Sequence, residues 1–218
     1  MIESISFNNV NPKVFDDAPA GASSMVWNRC VTFHKGKSYL IESGSGSGKS
    51  SFCSFLYGLR NDFRGEIIYN LSSGVAMTHD SCDFNSLRRE SIAIMFQDLR
   101  LFPELSAIDN VMLKSRLTGF AAENEVSDML QRLGLGGRLH VPCCRLSFGQ
   151  QQRVAFVRAM CQPCDFMLLD EPVSHLDDGN SRIMSEILHE RQQKDGVGLI
   201  VTSIGYRMPY AYDKIVTL

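Results

Sequence analysis

Several things are scarce in this chain of 218 residues. Long hydrophobic runs are missing: the purely apolar stretches, such as Phe166-Met-Leu-Leu169, fall far short of the about 20 residues that span a bilayer. Any action at a membrane is therefore expected to need another chain for the crossing. The start, Met1-Ile-Glu-Ser-Ile-Ser, has no basic segment followed by an apolar run, so no signal peptide is expected. Surplus charge of one sign is missing too. Lys and Arg (22) nearly balance Asp and Glu (24), and the isoelectric point is near 6.2. That is not the basic balance of a general nucleic-acid binder. Zinc-finger spacing is absent: Cys161-Gln-Pro-Cys164 has no second CxxC or His pair at finger distance, so it reads as core and loop packing. Seven cysteines, an odd number, in a chain without an export signal point to reduced thiols. Repeats and low-complexity tracts are absent as well.

What remains is an ordinary globular composition, 44% hydrophobic and 21% charged, able to bury a sizeable core. Strand-like patterns cover residues 2–8 and 25–33, and Ser38-Tyr-Leu-Ile41 reads as a buried strand. Pro19-Ala-Gly-Ala-Ser-Ser24 reads as a loop. Phe52, Phe55, Leu56 and Leu59 fall at i, i+3, i+4, i+7, one face of a helix over 49–59. Residues 106–134 look helical, with Val126, Met129, Leu130 and Leu133 as a stripe closed by Gly134. Gln150–Met160 is a further helix, Phe166–Leu169 a buried strand, Ile183–Leu188 part of a helix, and Val197–Thr202 another strand. Alternating strand and helix implies a mostly parallel sheet, with the helical middle as an inserted lobe.

Two segments carry chemistry by their own composition. Ser43-Gly-Ser-Gly-Ser-Gly-Lys49-Ser50 sits between a strand and a helix. Gly44, Gly46 and Gly48 let the backbone fold tightly, so that N–H groups, including those of Ser45, Ser47 and Ser51, converge on an anion. The following helix adds its positive end. Lys49 supplies a charge for the β- and γ-phosphates, and Ser50 a hydroxyl for Mg2+. Ser43 stands where the common pattern has its first glycine. The second segment, Phe166-Met-Leu-Leu-Asp170-Glu171-Pro172, is an apolar strand ending in two carboxylates. At the carboxyl end of a parallel strand, Asp170 can reach Mg2+ and Glu171 can polarise an attacking water. A third segment is weaker alone. Ser147 sits at an N-cap position before the 150–160 helix, where its hydroxyl and the free N–H groups of 148–150 can receive a phosphate.

Together these residues resemble a known family. Leu146-Ser147-Phe148-Gly149-Gln150-Gln-Gln-Arg153 resembles the signature of ATP-binding cassette (ABC) ATPases, usually LSGGQ followed by QxR. Phosphate loop, signature, acidic strand and Ser174-His-Leu-Asp177 occur in family order. Phe96-Gln97-Asp98 through Pro103 and Asp109-Asn110-Val111 look most like the branch serving lipoprotein release, macrolide efflux and cell division.

The resemblance implies an α/β P-loop NTPase fold with a mostly parallel core sheet, an N-terminal antiparallel β region and an inserted helical subdomain. One nucleotide-binding domain would fill 1–218, with core and β region at 1–97 and 162–218 and the lobe at about 98–161. ATP and Mg2+ are the implied cofactors. Gln97 looks like the glutamine that contacts Mg2+ and water. Asp177 looks like the aspartate that organises a dimer interface. Phe15 is the candidate aromatic for stacking on adenine, ahead of Trp27. Ser147, Gly149 and Gln150 would close over ATP held by a second cassette, of the same or another kind. An integral-membrane permease is the implied partner, no nucleic acid is expected, and the chain would lie in the cytoplasm, peripheral at the inner face of the membrane.

Two further departures accompany Ser43. Phe148 replaces the first signature glycine, and Ser203 stands where the family usually has a switch histidine after Val201-Thr202. Serine cannot carry a cation or shuttle a proton near neutral pH as histidine can. An ATP-driven transporter subunit that hydrolyses at Glu171, with Gln97 and Ser203 beside it, is the leading expectation. A nucleotide-binding regulatory module with weak turnover is the alternative, and a soluble ATPase acting on DNA or ribosomes fits the mild acidity least.

Overall fold

A computed structural model describes residues 1–16 and 24–218. The loop expected over 19–24 falls, but for Ser24, outside the described residues. Along the chain come β1 (Ile2–Pro12), β2 (Cys30–His34), β3 (Ser38–Glu42), α1 (Lys49–Leu56), β4 (Phe63–Leu71) and β5 (Ala76–Thr78). Next are α2 (Phe84–Glu90), β6 (Ile92–Met95), α3 (Ala107–Thr118), α4 (Glu123–Arg132) and α5 (Phe148–Met160). The chain ends with β7 (Phe166–Asp170), α6 (Asp178–Asp195), β8 (Gly198–Ser203) and β9 (Lys214–Thr217).

Among the described residues the strands form two sheets. An antiparallel sheet has the order β2-β1-β4-β5, and a second has the order β6-β7-β8-β3-β9. Every pairing in the second sheet is parallel. Parallel strands need crossovers that cover both faces, and β7 and β8 accordingly are buried at every position. Alternation along β3, β7 and β8 divides the core. Leu40, Met167, Leu169, Leu199 and Val201 face α5, α6 and the helical middle. Tyr39, Ile41, Phe166, Leu168 and Ile200 face α1 and the antiparallel sheet. The register sets Glu42 beside Ser203 and Asp170 beside Thr202. The carboxyl ends of β7, β8 and β3 thus lie side by side, where a parallel sheet places its ligands.

Three expectations need correction. Residues 25–29 are turn, not strand: Asn28 takes φ 57° and its N–H bonds to the Val10 carbonyl, while the Ser24 hydroxyl accepts from the N–H groups of Val26 and Trp27. The 49–59 helix stops at Leu56, because Gly58 turns at φ 69° against the Phe84 ring and leaves Leu59 exposed. Residues 106–134 are two helices, since Gly119 adopts the left-handed conformation (φ 64°) that ends α3.

Candidate functional site

The phosphate loop joins β3 to α1. Gly46 and Gly48 have φ 80° and 95°, which only glycine adopts without strain. The Lys49 ammonium, nearly buried at 5% exposure, donates to the carbonyls of Ser43 (2.9 Å) and Gly44 (2.7 Å). The Ser43 hydroxyl meets that of Ser47, which also donates to the Gly44 carbonyl (2.9 Å). Serine in place of the first glycine therefore braces the loop from within. Trp27, buried, donates from Nε1 to the Ser47 carbonyl (3.0 Å). A Cβ added to Gly48 would lie 3.2 Å from both Trp27 and Phe15. Both aromatics therefore flank the loop, Trp27 from within the core and Phe15 half-buried beside it.

The acidic strand end faces this loop. Glu171 Oε1 lies 3.9 Å from the Lys49 ammonium, and Gln97 Nε2 donates to Glu171 Oε2 (3.1 Å). The Ser50 hydroxyl is 3.4 Å from Gln97 Oε1. Thr202 Oγ1 donates to Asp170 Oδ1 (2.6 Å) and accepts from the Glu171 N–H (3.1 Å). Glu171 itself has φ 51°, a conformation costly for a residue with a side chain. Burial pushes the Asp170 carboxyl above its ordinary value, against the pull of the Thr202 and Ser50 hydroxyls and Lys49. Burial does the same to Glu171, with Lys49 opposing and Asp170 adding to it. Lys49 is lowered by its own desolvation, which the two carboxylates oppose. Arg158 on α5 donates to the carbonyls of Leu99 (2.6 Å) and Arg100 (2.7 Å), fixing the left-handed turn just after Gln97.

The expected site residues thus divide into two surfaces. Ser43 to Ser51, Gln97, Asp170 and Glu171 come together, with Phe15 at the rim. Ser147, Gly149 and Gln150 form the start of α5. The Ser147 hydroxyl accepts from the Gln150 N–H (3.3 Å), and the Ser147 N–H donates to Gln150 Oε1 (3.0 Å), a capping box. Among the described residues no hydrogen bond joins this turn to the phosphate loop of the same chain. Phe148 is exposed, with its ring edge-on to His175 (centroids 4.6 Å apart). Asp177 caps α6 through the Asn180 N–H (2.8 Å) and is exposed. Ser203 is buried, and its hydroxyl donates to the Tyr206 carbonyl (2.8 Å) and accepts from the Gly205 N–H (2.9 Å). It is occupied by its own loop rather than held out toward a ligand. Arg207 pairs with Glu42 (2.6 Å) and Tyr206 is exposed. His175 shares a hydrogen bond with Ser174 (2.9 Å), as a local loop residue does.

A family model described as ABC transporter matches residues 28–174. The chain belongs to the ABC transporter family. It is 33% identical over 172 residues to the lipoprotein-releasing system ATP-binding protein LolD of Syntrophus aciditrophicus, covering 77% of this chain and 76% of that one. It is 32% identical over 191 residues to the macrolide export ATP-binding/permease protein MacB of Shewanella sp., covering 86% of this chain but only 29% of MacB. Among solved structures, the dimeric form of a bacterial ABC transporter cassette superposes with a TM-score of 0.76 at 25% identity, covering 91% of this chain and 87% of that one. The expected fold and the lipoprotein-release and macrolide branch are both borne out.

Within this family frame, sequence reasoning missed two side chains, Thr202 and Gln152, and gave Trp27 only the lesser claim to stacking on adenine. Trp27 is a brace beneath the phosphate loop, hidden because its segment reads as strand. Thr202 ties both acidic residues to β8, a pairing that only the sheet register reveals. Gln152, on α5, donates to the Glu171 carbonyl (3.2 Å) across 19 residues of sequence.

Proposed function

We propose that this chain is the ATP-binding and ATP-hydrolysing subunit of an ABC transporter, working as a cassette dimer beneath a separate membrane permease. The observation that carries the reading is the convergence of Lys49, Ser50, Gln97 and Glu171 at the carboxyl ends of β3 and β7. The backbone N–H groups of 44–51 and the Lys49 ammonium receive the phosphates. Lys49 is held ready by two loop carbonyls, which phosphate oxygens replace. Ser50, Gln97 and Asp170 offer only oxygens, a hard and sparse set that fits Mg2+ completed by phosphate. Bound there, Mg2+ would neutralise phosphate charge. Glu171, raised by burial, is the base that takes a proton from the attacking water, while Gln97 orients its carboxylate.

The separation of the two surfaces supports dimerisation. At the start of α5 the N–H groups of Phe148 and Gly149 have no partner among the described residues, while Ser147 and Gln150 hold the turn that ATP in a second cassette would meet, and Asp177 lies exposed nearby. Phe15 stacks on adenine at the rim of the loop. Residues 98–161 act as the inserted helical lobe. Exposed Phe102, Leu113 and Leu117 line an open cavity of about 250 Å3 beside Phe96, a face suited to the permease. No helix among the described residues is long and apolar enough to cross a membrane. On this reading the chain attaches through that partner at the cytoplasmic face.

Isothermal titration of the purified chain with MgATP tests the reading. Saturable binding that Lys49→Ala abolishes is expected. Absence of binding by the unaltered chain at millimolar nucleotide would overturn it.

A further inference from the structure

The Glu171 main chain is unusual before any chemistry is assigned to it. Its φ of 51° turns the chain out of β7 in a conformation that side chains resist. Three groups hold the turn. Thr202 Oγ1 accepts from the Glu171 N–H (3.1 Å) on one side. Ser174 donates to the Glu171 carbonyl from its hydroxyl (3.3 Å) and its N–H (3.5 Å), both local to the loop. The third is Gln152, whose Nε2 reaches the same carbonyl at 3.2 Å from a different element, the second turn of α5.

Gln152 is 2% exposed, and its Oε1 has no partner among the described residues. A buried amide with half its capacity unmet costs stability, and an apolar side chain of the same length would pack there without that cost. Stability of the helix therefore does not account for the amide; the carbonyl it grips does. The rest of the contact follows the same path. A Cβ on Gly149 would lie 3.1 Å from the His175 carbonyl, and the Phe148 ring stands on His175. The signature turn and residues 171–176 are thus packed as one unit.

We infer that Gln152 is a positioning residue: it fixes the left-handed Glu171 backbone, and so the aim of the Glu171 carboxylate, from the helix that carries the signature. The inference rests on the reading of Glu171 as the base. A fixed main chain keeps the carboxylate at hydrogen-bond reach of one water position, and loosening of about 1 Å costs up to about 100-fold in rate.

Phosphate release and MgATP binding by the full-length chain test this with two variants. Gln152→Met keeps the length and removes the donor. We expect kcat to fall about 10- to 100-fold, with ATP affinity within about twofold of the unaltered chain. Gln152→Glu places a carboxyl that donates to the carbonyl only when protonated, so its rate relative to the unaltered chain should rise as pH falls. This second readout stands even if Gln152→Met fails to fold. Unchanged kcat in Gln152→Met, or a matched loss of kcat and affinity, would overturn the inference, as would a pH-independent ratio for Gln152→Glu. Glu171→Gln, run alongside, separates the two claims. If it abolishes turnover while the Gln152 variants behave normally, only the positioning role fails. If it leaves turnover intact, the underlying assignment of Glu171 fails.

Discussion

Ser203→His restores the residue that the family usually has at the end of β8, and the structure argues that this change does harm. Ser203 is 2% exposed, and its hydroxyl makes two hydrogen bonds to the turn that follows, to the Tyr206 carbonyl and from the Gly205 N–H. Losing both costs about 2 kcal/mol, at about 1 kcal/mol each. Forcing an imidazole into the space of a hydroxymethyl group adds about 1–3 kcal/mol of overpacking. The total of about 3–5 kcal/mol corresponds to a fall in Tm of about 6–20 °C for a chain of this size. The damage also travels, because the Ser203 carbonyl accepts from the Ser43 N–H (3.2 Å) at the start of the phosphate loop. Calorimetry and phosphate release at 25 °C measure the two effects. The expected variant melts lower and turns over no faster. Ser203→Ala, which loses the bonds without the bulk, should lie between it and the unaltered chain. A Ser203→His chain that melts within 2 °C of the original and hydrolyses ATP faster would refute the reasoning, and would mean that serine merely limits the chemistry.

Other outcomes follow from the same geometry. Gly48→Ala puts a side chain at φ 95° and 3.2 Å from Phe15 and Trp27, so about 1–2 kcal/mol of left-handed strain should weaken ATP binding about 5- to 30-fold by titration; unchanged affinity would mean that the loop does not grip phosphate. Trp27 is the single tryptophan, and its Nε1 holds the Ser47 carbonyl, so its emission should shift when MgATP binds. An emission spectrum indifferent to saturating nucleotide would show that the brace does not follow the loop. Glu171 has a folded pKa raised by burial, so the folded chain holds its proton more tightly than the unfolded chain does. The ionised carboxylate therefore costs stability above the folded pKa. Glu171→Gln should raise Tm near pH 7, with the gain shrinking as pH falls toward 4.5, the ordinary value. A gain of the same size at both ends of that range would contradict the assignment of the shift to this carboxyl.

The parts of the site that were legible in the sequence are those determined over short range. The glycine run, its following helix, the carboxylates at the end of β7 and the Ser147 cap each lie within about one or two turns of chain, and local sterics and hydrogen bonding decide them. What the sequence concealed depends on distant contacts. Leu59 matches the helical period, but Gly58 packs against Phe84 and breaks the helix before it. Residues 25–33 carry a strand-like pattern, yet the Ser24 cap and the Val10 carbonyl bend 25–29 so that Trp27 turns beneath the phosphate loop. The occupied hydroxyl of Ser203 and the bond from Gln152 to Glu171 are likewise settled by neighbours that periodicity does not register. Phe148 alters the signature by sequence, but it opens no gap: its ring lies on His175, outside the capped turn.

On the function proposed, this chain hydrolyses ATP with Glu171 as the base. Phosphate release from MgATP, measured side by side for the unaltered chain and Glu171→Gln with ATP binding checked for both, tests it most directly. Both should bind ATP, and release by the variant should fall about 100-fold or more. Equal release by two chains that bind ATP equally would contradict it.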